Sequence, residues 1–458
     1  MHRNLTPGMR NKFLEPLLAA AFLLTAAPAV FAQDSNLSSY QGPGIMSRGV
    51  GDVGSRSGEQ LELRYYAGIS GIMDTNLAPF ARDAQGNLIR IHNLYGIEIE
   101  GGVYGVHSWK RSQLGLDYRG SYRRYLNEDV YSGSDQSLTL GYTHQNSRRL
   151  AFDLRESVGT ISLGTGQLAD AASGDSNSAF DPTTLLFDVR TNYLQSSAFA
   201  TYTQSARMSY TVGGSAFLQD RKSQGLSNTW GYDFTGSAVR RISKTSSVGL
   251  SYVYSHFEFP AFQTRSDSNT FHATFATALG RLWTFSMEAG ATSTHVDSVF
   301  NLALTDPTLV ALFGKAIVPV STSFRTYYPS GAATLKRRFK TATLAFNYYR
   351  GVNSGNGAYS TARTENATAA ISYTGVRKLN VGLEGGYYKL ASIGQNLGNY
   401  AQFSAAAGFT YNLGHSIHLS TRYDLRDQQI DAANYSRTNS RASIGLLFSP
   451  GNLPLALW

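Results

Sequence analysis

Charged side chains recur two residues apart in this chain, each flanked by large apolar ones. Glu98 and Glu100 interleave with Ile97 and Ile99. Asp117, Arg119 and Arg123 interleave with Leu116, Tyr118 and Tyr122, and Asp153 and Arg155 with Phe152 and Leu154. Glu62 and Arg64 alternate with Leu61, Leu63 and Tyr65, and Arg422, Asp424 and Arg426 with Tyr423 and Leu425. Asp233, His272, Glu288 and Glu384 each stand between apolar neighbours, and Arg441 alternates with Ala442, Ile444 and Leu446. Carboxylates and guanidinium groups held this way can do two things. They can line a wet surface whose field orients dipolar solutes, or they can pair off and fill the space they face.

Covalent chemistry finds less support. There is no H-E-x-x-H, no P-loop and no G-x-S-x-G, and the nine His are scattered. His415 and His418 are three apart at a turn–strand junction and point to opposite faces, a poor arrangement for a metal. A lipid hydrolase would need a Ser–His pair on an outward rim, for which His144 and His256 are the candidates. Gly49-Val50-Gly51-Asp52-Val53-Gly54 fits G-x-G-x-x-G but follows no strand and opens no helix, so it is no nucleotide loop. No catalytic residue, cofactor or metal site is expected.

The spacing of the charges dictates the elements that carry them. A period of two is a strand with one apolar and one polar face. The pattern is clearest from Leu379 to Phe448, where four such runs follow one another to the end of the periodic region. A soluble sandwich would not accept unpaired charge in its core. An apolar face turned to lipid and a charged face turned to an enclosed lumen satisfy both halves of the pattern. The expected fold is therefore all-β, a transmembrane antiparallel up-and-down barrel over residues 59–448. Counting runs gives about 18 strands, with 16 the alternative; alternation is most blurred near 192–203 and 326–336. On this reading the sixteen pore-lining residues are Glu62, Arg64, Glu98, Glu100, Asp117, Arg119, Arg123, Asp153, Arg155, Asp233, Glu288, Glu384, Arg422, Asp424, Arg426 and Arg441.

The connections carry a second signal, because short and long ones alternate. Short turns fall at 109–111, 146–149, 204–206, 240–246, 280–281, 336–340, 375–378 and 412–415. Several are basic, among them Lys110-Arg111, Arg148-Arg149 and Lys336-Arg337-Arg338. They are solvated, or they meet anionic headgroups. Short turns on the periplasmic side and long loops outside are the rhythm of membrane barrels, and an even strand count puts both termini on the periplasmic side. Two long loops are expected to narrow the lumen. The first, 163–190, carries Asp170, Asp175, Asp181 and Asp188. The second, 296–325, is apolar, with Val310, Leu312, Phe313, Ile317 and Val318. It is expected to fold into the mouth or lumen, or else to form a surface lid or meet a neighbour. Each contains an Asp-Pro-Thr helix start, at 181–183 and 306–308.

Composition agrees with export to a membrane. Of 458 residues, 16% are charged and 42% hydrophobic, too polar for a helical membrane protein, and there is no Cys for a disulfide framework. Arg3, Arg10 and Lys12 precede an apolar run from Leu17 to Ala27, and Val30-Phe31-Ala32 ends it. This reads as a signal peptide over 1–32, cleaved after Ala32. Residues 33–58 read as a flexible periplasmic arm and 449–458 as a C-terminal tail. The formal net charge of +9 lies largely in turns, with no basic helix or aromatic–basic patch for nucleic acid.

Over residues 59–448 the chain resembles bacterial outer-membrane β-barrel proteins, in particular large porin-like barrels. The leader, the Tyr-rich alternating strands and the short-turn/long-loop rhythm carry the likeness. In that family the last strand ends in an aromatic residue read by the β-barrel assembly machinery. Here Ile444, Leu446 and Phe448 match, while the tail from Ser449 to Trp458, with Pro450 and Pro454, departs. Ala67-Gly68-Ile69 followed by Asp74-Thr75-Asn76 also resembles the opening hairpin of porin-like barrels linked to exopolysaccharide export. The resemblance implies an outer-membrane location in a Gram-negative bacterium, contact with outer-membrane lipid, and passive diffusion of small hydrophilic solutes. A polysaccharide exit conduit and a non-conducting structural or adhesive barrel are the other readings, and both a monomer and a homo-oligomer fit the pattern.

Overall fold

The computed structural model describes residues 60–77, 93–126, 131–161, 190–222, 226–280, 282–303, 317–393, 398–414, 416–431 and 435–449. Residues 1–59, read above as leader and arm, most of 449–458, and the loop carrying Asp170, Asp175, Asp181 and Asp188 lie outside them. So do both Asp-Pro-Thr signals and the side chains of Glu62 and Arg64.

Eighteen strands form one antiparallel sheet that closes on itself. In chain order they are β1 Gln60–Asp74, β2 Leu94–Ser108, β3 Ser112–Tyr125, β4 Gly133–Gln145, β5 Leu150–Ile161, β6 Thr191–Ser205, β7 Met208–Arg221, β8 Thr229–Arg241 and β9 Ser246–Phe259. They continue as β10 Thr264–Leu279, β11 Trp283–Ala303, β12 Ile317–Arg338, β13 Ala342–Asn353, β14 Ala362–Val376, β15 Leu379–Ser392, β16 Asn399–Asn412, β17 Ile417–Ile430 and β18 Tyr435–Phe448. Each strand pairs with its neighbour in sequence, and β1 pairs with β18 from Ala67↔Phe448 to Asp74↔Arg441. This is the up-and-down transmembrane barrel that the alternation predicts. Closure joins the first strand to the last, and over the span that the strands share their backbone groups pair along the wall, as hydrocarbon requires; β11 and β12 run on past it as a two-stranded ribbon.

Alternation decides which face is which. Ile97, Ile99, Tyr118, Tyr122, Leu154, Phe234, Met287, Leu383, Tyr423, Ile444 and Leu446 are all exposed on the outer wall. Their sequence neighbours turn inward and, Ser286 apart, are buried or half-buried. At one rim the connections run from two residues (377–378) to four (146–149); at the other they reach 162–190. The short-turn rim also holds the start of β1 and the end of β18. There Arg337 lies between two outward rings, 4.8 Å from the centroid of Trp283 and 4.2 Å from that of Phe339. Such aromatic–cation anchors suit a membrane interface.

The two blurred strands are present and longer than the sequence indicates. β6 takes in Thr191 to Ser205, and β12 begins at Ile317. The second long loop is accordingly corrected. Much of 296–325 is not loop: β11 runs on to Ala303, pairs with β12 as far as Ala303↔Ile317, and takes Ile317 and Val318 into the ladder. The cause is local composition. Val296, Val299, Ile317, Val318 and Val320 are β-branched, as are Thr292, Thr294 and Thr322 beside them, and such residues favour a pleated surface over a lumen-filling coil. Val310, Leu312 and Phe313 lie outside the described residues.

Candidate functional site: a charged wall and an inward loop

The inward face is not uniform. Six adjacent strands, β17, β18, β1, β2, β3 and β4, hold a continuous belt of ion pairs. Arg441 sits between carboxylates from two other strands: it bonds Glu98 through Nη2 and lies 4.0 Å from Asp74 through Nη1. Arg123 Nη1 reaches Glu98 Oε1 at 3.4 Å, and its Nη2 donates to Asp135 Oδ2 at 2.5 Å. Asp74 is fully buried and accepts from the Tyr125 hydroxyl at 2.7 Å. On β3, Arg119 grips Asp117 with two bonds of 3.0 and 3.1 Å. On β17, Arg422 grips Asp424 in the same way, with Nε donating at 2.6 Å. Residues two apart on a strand share a face, so the i, i+2 spacing of Asp117/Arg119 and Arg422/Asp424 makes these bidentate pairs directly. The wall carries six inward arginines (119, 123, 422, 426, 437, 441) and six inward carboxylates (74, 98, 100, 117, 135, 424), so its charges balance.

The remaining inward wall is lined mainly by hydroxyls. Ser268 and Thr294 bond at 3.0 Å across β10 and β11, and Thr270 and Thr292 at 2.8 Å. These rungs run between directly opposed residues. His272 bonds Ser330 at 2.8 Å and lies 3.4 Å from Glu288. Asp233 accepts from Ser215.

The lumen narrows towards the long-loop rim, at a place the sequence did not single out. The connection between β13 and β14, residues 354–361, folds inward and is almost wholly buried. Gly355 and Gly357 take φ of +62° and +90°, which glycine adopts without strain. The Asn353 side chain accepts the Gly355 N–H at 3.0 Å, and the Asn356 side chain accepts that of Tyr359 at 3.1 Å. These local bonds replace the ladder and turn the chain. The loop then reaches elements three to six strands away around the wall. Thr361 Oγ1 donates to Ser266 Oγ of β10 at 2.5 Å, and the Gly357 carbonyl accepts the Ser227 N–H from the β7–β8 connection at 2.9 Å. Tyr359 packs with Leu226 of that same connection and with inward Tyr388, Leu390 and Tyr400. Below it, the Tyr400 hydroxyl donates to Gln402 at 2.6 Å and accepts from Gln428 at 2.9 Å, while Arg437 donates to Gln428 at 2.6 and 3.0 Å.

Where the two loops meet stands Arg221, the last residue of β7. It is buried, and its guanidinium donates to the Ser227 carbonyl at 2.5 Å, to Thr229 Oγ1 at 3.1 Å and to Gln219. All three acceptors are neutral. A Cβ on Gly357 would lie 2.7 Å from both Cδ and Nε of Arg221, so the loop backbone rests on that side chain.

Of the expected lining, Glu98, Glu100, Asp117, Arg119, Arg123, Arg422, Asp424, Arg426 and Arg441 lie together on the charged wall. Asp153, Arg155, Asp233, Glu288 and Glu384 are inward but spread over β5, β8, β11 and β15. Sequence reading missed Asp74, Asp135, Arg221, Arg437 and the whole loop 354–361. Parity could have found the first two and Arg437: Ile69 outward puts Asp74 inward, Leu138 outward puts Asp135 inward, and Arg437 shares a face with Arg441. Of the two candidate rim histidines, His144 Nδ1 does meet Ser112 Oγ at 2.7 Å on the outer face, but no carboxylate orients its ring among the described residues. His256 Nδ1 bonds Asp267 at 2.9 Å instead of a serine.

No protein-family model matches the chain, and no curated protein matches it. Among solved structures it is similar to Pseudomonas aeruginosa OccK2 (OpdF), crystallised in complex with glucuronate. Identity is 10%, the match covers 85% of this chain and 98% of that one, and the TM-score is 0.41. A BenF-like porin from Pseudomonas fluorescens Pf-5 is 12% identical over 86% of this chain and 100% of that one, with a TM-score of 0.40. Acinetobacter baumannii OccAB3 is 8% identical over 85% and 99%, with a TM-score of 0.37.

Proposed function

We propose that the protein is an outer-membrane channel through which small hydrophilic solutes diffuse, with passage set by the inward loop 354–361 and the Arg221 beneath it. The observation that carries this reading is the combination of a wide closed wall with a loop that crosses it. An 18-strand barrel is too wide for strand side chains alone to fill. Bonds from Gly357 and Thr361 to the β7–β8 connection and to β10 hold the loop inside the wall and narrow the lumen there. The charge-balanced wall would orient a dipolar solute without strongly favouring either ion sign. Arg221, whose partners are all neutral, adds one positive centre at the narrowest region, so a solute bearing an anionic group is favoured there. In this reading β18, with Ile444, Leu446 and Phe448 on its outer face, is the strand presented to the assembly machinery.

Planar-bilayer recording on the purified mature protein tests it. Discrete ohmic steps of small conductance are expected, with a modest preference for anions. Silence from a barrel that still shows heat-modifiable migration would reject the channel. Block by an anionic polymer, with no passage of small solutes, would favour the polysaccharide conduit instead.

A further inference from the structure

Arg337 is held at the short-turn rim without a counter-charge. It is the second-last residue of β12, outward on the wall, and it stands opposite Trp283, the first residue of β11. The Trp283 and Phe339 rings flank its guanidinium and fix where it points. Among the described residues it has no carboxylate partner, and its buried Nε meets no acceptor. Lys336, Arg338 and Lys340 lie within three residues of it, and no Asp or Glu stands in the sequence between Asp306 and Glu365. None of the short turns contains an acid. An ordered guanidinium with nothing in the chain to bind, at the depth where headgroups lie, matches the oxygens of a phosphate.

The wall beyond Arg337 fits the rest of a lipid. Phe285, Leu335 and Phe346 stand in one outward row across β11, β12 and β13. In the next row β12 offers only Ala333, between Met287 and Tyr348, and Gly331 follows it. The drop in size from Leu335 to Gly331 leaves a shallow furrow along β12. It opens four residues from Arg337, about 10 Å at a tilt of roughly 40°, within reach of the acyl chain of a lipid whose phosphate meets the guanidinium. The surrounding charge selects the headgroup. A zwitterionic one would bring an ammonium among Lys336, Arg338 and Lys340, with no carboxylate to receive it. An anionic one brings no cation of its own.

We propose that Trp283, Arg337 and Phe339 form a binding site for the phosphate of an anionic glycerophospholipid, with an acyl chain lying along β12 over Ala333 and Gly331. The inference rests on the facing of the barrel wall and is independent of what passes through the lumen.

Trp283 reports on its own site. The chain has four Trp, so with Trp109, Trp230 and Trp458 replaced by Phe the remaining fluorescence reads the lipid beside Arg337. In phosphatidylcholine bilayers, brominated phosphatidylglycerol is expected to quench Trp283 as though enriched about fivefold over brominated phosphatidylcholine, the effect of one cation near a surface. Adding Arg337→Gln is expected to remove the preference while heat-modifiable migration shows the barrel still folded. Arg148→Gln with Arg149→Gln, in a basic turn on another part of the rim, is expected to leave it intact. A variant that keeps only Trp230, the second residue of β8 at the opposite rim, is expected to show no preference. Equal quenching by the two lipids, a preference that survives Arg337→Gln, one that falls as far with the Arg148 and Arg149 changes, or one equally strong at Trp230 would each overturn the proposal. So would loss of the preference to inorganic phosphate at matched ionic strength, which would make the site one for free phosphate.

Discussion

Replacing Leu383 by Arg tests the facing on which every functional statement depends. Leu383 is half exposed on the outer wall of β15, and its neighbour Glu384 faces inward. It stands four residues past Leu379, the first residue of the strand. At about 3.4 Å per residue and a tilt of roughly 40°, that is about 10 Å above the short-turn rim, near the middle of the hydrocarbon. Arginine at such a depth costs about 2–4 kcal/mol. At about 1.4 kcal/mol per tenfold, the folded-to-unfolded ratio falls by a factor on the order of 30 to 1000. Leu383→Arg is therefore expected to lose most of its heat-modifiable band after refolding into lipid, and to shift its urea midpoint downward. Glu384→Gln keeps the shape and the hydrogen-bonding capacity of an inward side chain, and it is expected to refold like the parent. Read side by side on one gel, equal losses in the two variants, or a larger loss in Glu384→Gln, would refute the assignment of faces.

Other outcomes follow from the lumen. Shortening the inward loop by removing Gly355–Ser360 is expected to raise single-channel conductance severalfold, because the bonds to Ser227 and Ser266 that hold chain across the lumen are lost; unchanged conductance would place the narrowing elsewhere. Arg221→Gln is expected to lower the anion-to-cation permeability ratio, read as a shift in reversal potential under a salt gradient, with the barrel folded. Arg441→Ala strands Glu98 and Asp74 without their shared cation. Breaking a buried pair costs about 3–5 kcal/mol, so refolding yield should drop sharply, with partial recovery when the variant also carries Glu98→Gln.

The wall was legible in the sequence because its two faces meet solvents of opposite character. Hydrocarbon tolerates Ile97, Tyr118 and Leu383 but not their neighbours, so alternation alone gives the strands and their parity. Even the pairs Asp117/Arg119 and Arg422/Asp424 follow from spacing. The constriction was not legible in the same way. Ser354-Gly355-Asn356-Gly357 has the composition of any solvent-facing turn. Whether such a turn points out or in depends on Tyr359 finding Leu226 and Tyr400, residues more than 130 and 40 positions away respectively. The apolar residues between 296 and 325 misled for the converse reason. Their β-branched character serves a long ribbon as well as a buried plug, and only pairing decides between them.

The placement of the charged belt has a structural reason beyond solute passage. A closed barrel must join its first and last strands, and here that join is short: β1 meets β18 over the eight residues Ala67–Asp74 only, against fifteen between β1 and β2. Arg441 stands at the last of these positions, opposite Asp74, and reaches past β1 to Glu98 on β2. Arg123 continues the chain of pairs to Asp135 on β4, and Thr75 and Asn76 extend the join by bonding Ser440 and Thr438 beyond the ladder. The ions thus tie together the strands that synthesis delivers first and last, where the ladder, at eight pairs, is as short as that between β12 and β13 and shorter than the rest. A buried ion pair is poor value as a source of net stability, yet losing one partner is costly. That asymmetry suits a seam, because a register slip by one residue would turn Arg441 into lipid and leave Asp74 with only the Tyr125 hydroxyl and Glu98 with only Arg123, so the belt selects the correct closure over its near neighbours.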